Sequence, residues 1–171
     1  IVNDKTNIHL TTPMLLLDVG GATTDIFYGG ELIAEEYGNT PHPSINRYVF
    51  TNLGLSSSRE TLLDCLSQSD GLAVFIRELY PDNYEQRYIN IREGDWDETT
   101  TEFLAEACFF LALKSCSDGS LGNHQLELNK VASLVLTGGA SQLCETEKLV
   151  RISELCGVKH ASIQVDKDYN I

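Results

Sequence analysis

Two aspartates framing a pair of glycines are the residues of this chain best suited to chemistry. Residues 15–28 read Leu-Leu-Leu-Asp-Val-Gly-Gly-Ala-Thr-Thr-Asp-Ile-Phe-Tyr, so an apolar strand enters a glycine pair and a polar strand leaves it. The apolar run indicates a strand covered on both faces. Gly20 and Gly21 predict a tight hairpin with positive φ, whose backbone N–H groups are free to meet an anion.

The side chains around this turn are compatible with a phosphate. Thr23 and Thr24 suit a strand and also offer hydroxyl donors. Asp18 and Asp25 would repel a bare phosphate, but they fit a hydrated Mg²⁺ lying between them and the phosphates. The alternative interpretation is an ordinary Gly-Gly hairpin with a solvated aspartate at each end.

A second glycine pair follows another apolar strand far downstream. Residues 133–141 read Ser-Leu-Val-Leu-Thr-Gly-Gly-Ala-Ser. Gly138 and Gly139 would let the backbone approach a flat ring or a ribose, with Ser141 and Gln142 as hydrogen-bonding partners. A tight strand-to-helix turn without a ligand is the alternative. Taken together, the two junctions predict two walls of one nucleotide site.

Both segments resemble motifs of one ATPase superfamily. Residues 18–26 are similar to the second phosphate motif of the actin, heat-shock chaperone and sugar-kinase ATPases, whose pattern is Asp-x-Gly-Gly-x-Thr-x-Asp. Residues 133–141 resemble the adenosine motif of the same superfamily. The resemblance implies an α/β, ribonuclease-H-like domain, in which strands extend a three-strand antiparallel meander and helices pack on the sheet.

Within the superfamily, the sequence Gly-Gly-Ala-Thr-Thr-Asp most resembles that of the glutamate mutase L (MutL) family, a reactivase-like group. Residues 46–55 are similar to the Arg-Thr-Val-Glu-Gly-Asp-Leu-Gly-Met segment of that family. Phe50, Thr51 and Asn52 depart from it, because they stand where the family tends to have Glu, Gly and Asp. If that Asp assists hydrolysis, Asn52 would weaken hydrolysis in this protein.

The resemblance also implies roles for individual residues, with ATP and Mg²⁺ as cofactors. Asp18 and Asp25 are the expected catalytic residues, and Asp18 would hold Mg²⁺ through water. The expected phosphate-binding residues are Gly20, Gly21, Ala22, Thr23 and Thr24. The expected adenosine-binding residues are Gly138, Gly139, Ala140 and Ser141.

The implied function is that of an ATP-dependent reactivating chaperone for a cobalamin-dependent mutase or aminomutase. This chain would supply the second, nucleotide-binding half, because no Asp-x-Gly segment typical of the first half is found and the chain begins at Ile1. Its partners would be ATP, the mutase and the first half of the same protein. We expect ATPase activity in the full-length protein and an inactive isolated half. A nucleotide-binding scaffold with little hydrolysis and a small-molecule kinase are the alternatives.

Composition narrows the classes of partner. The 171 residues include 25 acidic and 12 basic ones, for a formal charge of −13, which argues against nucleic acid or an anionic membrane as partner. No apolar run approaches the roughly 20 residues that span a bilayer, so we expect a cytoplasmic domain. The five cysteines lack a Cys-x-x-Cys pair and predict buried free thiols. The isolated histidines argue against a zinc site.

The elements predicted to position these residues alternate between strands and helices. We expect residues 1–12 to be the remnant of a preceding connection and 13–171 to form the domain, with a helical and loop insertion at 38–98. Possible capping boxes at Ser57/Glu60 and Thr99/Glu102 start two of the helices. The predicted strands are 14–19, 23–28, 31–36, 132–137 and 161–165. The predicted helices are 58–68, 72–79, 100–117 and 141–156, with loops at 38–56, 81–97 and 117–129.

Overall fold

The computed structural model has a mixed α/β architecture and describes residues 10–34, 45–122 and 124–168. Five strands form one sheet: β1 (Met14–Val19), β2 (Thr24–Gly29), β3 (Ile45–Phe50), β4 (Ser133–Thr137) and β5 (Ser162–Val165). The helices are α1 (Arg59–Gln68), α2 (Leu72–Leu79), α3 (Tyr84–Glu93), α4 (Thr101–Asp118) and α5 (Thr146–Leu155). Residues 1–9 of the predicted remnant, 1–12, lie outside the described residues.

The sheet has the strand order β3-β2-β1-β4-β5. The strands β1, β2 and β3 pair antiparallel, whereas β4 lies parallel to β1 and β5 lies parallel to β4. A three-strand meander extended by two parallel strands is the ribonuclease-H-like arrangement, so the predicted fold class is confirmed. The division into a connection, a domain and an insertion stays a prediction.

The core lies between the sheet and the helical layer. Leu15 and Leu17 of β1 and Leu134 and Leu136 of β4 are almost fully buried, in one cluster with the apolar residues of α4. Side chains alternate across a strand, so the residues between them face the other side of the sheet. The helix α4 packs on the sheet, and the predicted site residues Asp18 and Asp25 lie on the face that α4 does not cover.

The third strand of the meander is not where the sequence pattern placed it. Instead of a strand at 31–36, Gly30–Leu32 form a 3-10 turn, and Ile33 makes a single antiparallel bridge to Leu126. Residues 35–44 lie outside the described residues. The third strand is β3, within the segment predicted as a loop, and exposed and more buried residues alternate along it. The sequence pattern did not indicate this edge strand, because the segment mixes polar and aromatic residues and lies next to prolines.

The segment 81–97 contains the helix α3, so its prediction as a loop is also wrong. Most of this helix is polar, with Ile91 as its buried residue, so the sequence lacks a clear apolar stripe. Tyr84, Tyr88 and the following Trp96 are partly buried, because they pack against the hydrophobic core. The helix ends at Gly94, which has a φ of 79°.

Both predicted caps are wrong by one residue. The N-cap of α1 is Ser58, which makes no side-chain capping bond, and the N-cap of α4 is Thr100, whose hydroxyl accepts a hydrogen bond from the Phe103 amide. The helix predicted at 141–156 is divided into a 3-10 turn, Gly139–Gln142, and α5. No described helix is long and apolar enough to cross a membrane. All five cysteines are free, with Cys65 and Cys156 only partly buried.

Candidate functional site

The two predicted aspartates lie directly opposite each other at one end of the sheet. Asp18 near the end of β1 is the Cα partner of Asp25 in β2, and it is also the Cα partner of Thr137 at the end of β4. Directly paired residues on neighbouring strands point to the same face. The antiparallel register therefore brings Asp18 and Asp25 together and places the β4 junction beside them.

The turn between the two aspartates is held by a loop from another part of the chain. Residues 20–23 close the hairpin through a 2.9 Å hydrogen bond from the Gly20 amide to the Thr23 carbonyl. The loop that joins β3 to α1 then donates to three successive carbonyls. The amide of Leu55 donates to Gly20 O (3.1 Å) and the amide of Ser56 donates to Gly21 O (2.8 Å). The hydroxyl of Ser58 donates to Ala22 O (2.6 Å).

This bracing determines where the amides of the turn point. In a planar trans peptide the C=O and the N–H point in opposite directions. Since the carbonyls of Gly20, Gly21 and Ala22 face the loop, the N–H groups of Gly21, Ala22 and Thr23 face away from it. Within the described part of the chain these three amides donate no hydrogen bond. Successive free amides are a site for an anion.

Close approach of the loop explains Gly21 and Gly54, because a Cβ on Gly21 would lie 2.5 Å from Ser56 Oγ. Neither Gly20 nor Gly21 has positive φ, so that expectation is wrong. A Cβ on Gly54 would lie 2.6 Å from both Gly21 O and the carbonyl carbon of Ala22. The segment 46–55, which carried the family resemblance, thus contains part of the brace of the turn.

The two threonines of the motif have different surroundings. Thr24 is fully buried, and its hydroxyl donates to the carbonyl of Leu53 (3.0 Å), so it fastens the bracing loop. Thr23 is half-buried at the edge of the turn. Direct phosphate contacts from these residues stay predictions, and the hydroxyl of Thr24 already serves a structural role.

The second glycine junction lies against the first. Gly138 has a φ of 77°, and a Cβ there would lie 2.7 Å from the carbonyl oxygen of Val19 and would also collide with the Asp18 carboxylate. Gly139 is exposed, whereas Ala140 and Ser141 are buried. The Ser141 hydroxyl donates to the Gly138 carbonyl (2.7 Å) and so stiffens the turn. The structure brings the two predicted walls together, and the adenosine contacts themselves stay predictions.

Arg47 is a member of this site that the site prediction from sequence missed. Its Nε and one terminal nitrogen lie 2.6 Å and 2.5 Å from the same oxygen of Asp25. Burial and the neighbouring Asp25 raise the pKa of Asp18, and Arg47 partly opposes that shift. The usable signal was the place of Arg47 in the family-like segment 46–55.

The donor set fits a hydrated Mg²⁺. No described residue donates a hydrogen bond to the Asp18 carboxylate, whereas one Asp25 oxygen is held by Arg47. Mg²⁺ commonly binds one or two carboxylates and completes its shell with water and phosphate oxygens. Asn52 is exposed beyond β3, and its side-chain amide nitrogen lies 3.2 Å from Cys65 Sγ.

The bracing hydroxyl offers a specific test. Ser58→Ala should lower the free energy of unfolding by about 1 kcal/mol, because the Ala22 carbonyl loses its donor, and it should weaken ATP binding by freeing the turn. Urea unfolding and calorimetric titration of ATP measure the two effects. Ser57→Ala is the matched control, since Ser57 is exposed beside it, and it should change stability by less than about 0.5 kcal/mol. Equal effects of the two variants would contradict the bracing role.

Comparison with known proteins identifies the family. A profile of the family described as MutL protein matches residues 2–160. No curated protein matches the sequence significantly. A solved structure described as a non-polymerisable quadruple mutant of pCBH ParM is similar over 88% of this chain, with 15% identity and a TM-score of 0.37. This chain covers 41% of the length of that protein.

The strand order and the family profile agree on one assignment. The profile covers nearly all of the described residues, including both glycine junctions. The chain belongs to the MutL protein family and has an α/β fold with the ribonuclease-H-like strand order.

Proposed function

We propose that this domain is the nucleotide-binding half of an ATP-dependent reactivating protein for a cobalamin-dependent mutase or aminomutase. The observation that carries nucleotide binding is the braced turn, whose amides at Gly21, Ala22 and Thr23 have no described acceptor. A polyphosphate supplies the acceptors that these amides lack. Family membership supports the choice of client.

Each of the two walls would bind a different part of the nucleotide. The amides of the turn would receive phosphate oxygens, and the Asp18 carboxylate would orient the water shell of Mg²⁺. The exposed Gly139 would lie beneath the adenosine, on a turn stiffened by Ser141. When bound, Mg²⁺ would neutralise phosphate charge. Asp25, which is held by Arg47, would orient water or cation from the opposite strand.

Reactivation requires that nucleotide state changes the affinity for the client. The bracing loop leads directly into α1, so the turn and the helical insertion are mechanically joined through Ser58. Closure of the two halves on ATP would alter the client surface, and turnover would reset it. Damaged cobalamin would leave the mutase during that cycle.

The decisive experiment is calorimetric titration of ATP-Mg²⁺ into the full-length protein, with phosphate release followed in the same samples. Asp18→Ala should weaken binding about tenfold or more and abolish turnover, because the carboxylate that orients the cation shell is lost. Asp82→Ala removes the same charge from an exposed position on the helical insertion and should leave both unchanged. Absence of ATP binding to the folded full-length protein would refute the proposal.

The client requires its own assay. A mutase loaded with inactive cobalamin should release it when the full-length protein and ATP are present, and the Asp18→Ala variant should fail to promote release. Cobalamin release that is independent of nucleotide would contradict the reactivating role. Binding of ATP without turnover would instead favour the scaffold alternative, for which the presence of Asn52 in place of Asp is the motivating observation.

A further inference from the structure

The ion pair between β3 and β2 crosses the sheet diagonally. Arg47 is the Cα partner of Phe27, yet its guanidinium reaches Asp25, whose own Cα partner is Val49. On the way it passes over the Phe27 ring, 5.7 Å from the ring centroid to the guanidinium carbon. The aromatic face and the carboxylate together hold the guanidinium beside the phosphate turn.

The charges at this end of the sheet do not cancel. Asp18 and Asp25 stand directly opposite each other, and like charges in that arrangement repel. Arg47 is the cation in the described ion pair at this end of the sheet, and it pairs with Asp25. The cluster therefore has a formal charge of −1 with Arg47 and −2 without it. A site with a charge of −2 would favour a bare divalent cation and disfavour a polyphosphate.

The guanidinium also retains unused donors. An arginine has five N–H donors, and the Asp25 contact is made by two of its nitrogens. The Arg47 side chain is 59% exposed, so its remaining donors are accessible from solvent. Its anchor, Asp25, follows Thr23 by two residues, and Thr23 contributes the last of the three free amides.

We infer that Arg47 is a specificity-determining residue of the phosphate site. It offsets one of the two carboxylates and adds N–H donors, so that the site selects a polyphosphate anion over a bare divalent cation. The inference rests on the proposed function, because it assigns the anion to the turn between Asp18 and Asp25.

The test measures two affinities that should change in opposite directions. In the full-length protein, Arg47→Ala should raise the affinity for Mn²⁺ alone about threefold to tenfold. This affinity is measured from the electron paramagnetic resonance signal of free Mn²⁺. The same variant should lower the affinity for ADP in excess EDTA by a similar factor, followed by calorimetry. Arg47→Lys keeps the positive charge, so its affinity for Mn²⁺ should stay close to that of the unaltered protein. Arg151→Ala removes an arginine from the surface pair with Glu147 and should change neither affinity.

The outcomes separate this inference from loss of structure and from the proposed function. Simultaneous weakening of Mn²⁺ and ADP binding would indicate a general structural defect and overturn the inference. Unchanged affinities in a protein that binds ADP would overturn it while leaving the proposed function intact. Failure of the unaltered protein to bind any nucleotide would refute the proposed function and, with it, the assignment of Arg47 to phosphate selection.

Discussion

Gly138→Ala should destabilise the protein by about 3 kcal/mol, the sum of strain at a positive φ and overpacking against a neighbouring strand. The backbone at Gly138 has a φ of 77°, which side-chain-bearing residues rarely adopt. An added methyl would lie 2.9 Å from the Val19 amide nitrogen and 2.7 Å from its carbonyl oxygen. Because these are backbone atoms of a central strand, they cannot move aside without disturbing the turn at residues 20–23.

The neighbouring glycine provides the matched control. A Cβ on Gly139 would lie 3.7 Å from the Val19 carbonyl oxygen, which is ordinary van der Waals contact, and φ there is not in the positive range. Gly139→Ala should therefore cost less than about 1 kcal/mol. Urea unfolding of both variants measures the difference, and ATP titration shows whether Gly138→Ala also weakens binding. Equal destabilisation by the two variants would contradict the close contact between Gly138 and Val19.

Lys148→Met should cost about 2–3 kcal/mol, because it removes the cation from a buried carboxylate. The Glu106 side chain in α4 is 2% exposed, and its Oε1 lies 2.9 Å from Lys148 Nζ in α5. The other Glu106 oxygen accepts the hydroxyl of Tyr80, whose pKa is raised by burial and by this carboxylate. The 30% exposure of the Lys148 side chain places the expected loss below that of a fully buried pair.

A surface pair shows what an ordinary ion pair contributes. Lys130→Met breaks an exposed pair with Glu127 and should cost less than about 1 kcal/mol. Adding Glu106→Leu to Lys148→Met should restore part of the lost stability, because the uncompensated charge is then gone. Urea unfolding of the unaltered protein, Lys148→Met, Glu106→Leu and the double variant completes a double-mutant cycle. A loss no larger than that of Lys130→Met would contradict a buried, energetically important pair.

The elements with strong local patterns could be predicted from the sequence. The apolar strands β1 and β4 and the long helix α4 lie within one residue of where they were expected, since each carries its signal within its own residues. The predicted helix 141–156 ends within one residue of the end of α5, and Gly157 just beyond it has a φ of 99°. Two elements could not be predicted. The edge strand β3 and the polar helix α3 bury few residues, so their stability depends on neighbours rather than on a periodic pattern.

The sequence by itself determined which residue types meet in the candidate site and their local order. Asp18, the glycine pair and Asp25 could be predicted as a turn between carboxylates, because glycine permits a tight turn and an aspartate brings its carboxylate wherever it stands. The sequence also determined the family, through motifs that are short and contiguous.

Only the tertiary structure decided how these residues cooperate. The pairing of Arg47 with Asp25, the bracing of Ala22 by Ser58 and the contact of Gly138 with Val19 join residues from different elements. Each depends on strand register or on where a loop crosses the turn, and a one-residue shift in register would turn a side chain to the other face of the sheet. The physical reason is that these contacts come from packing the whole sheet, which no local stretch of the sequence encodes.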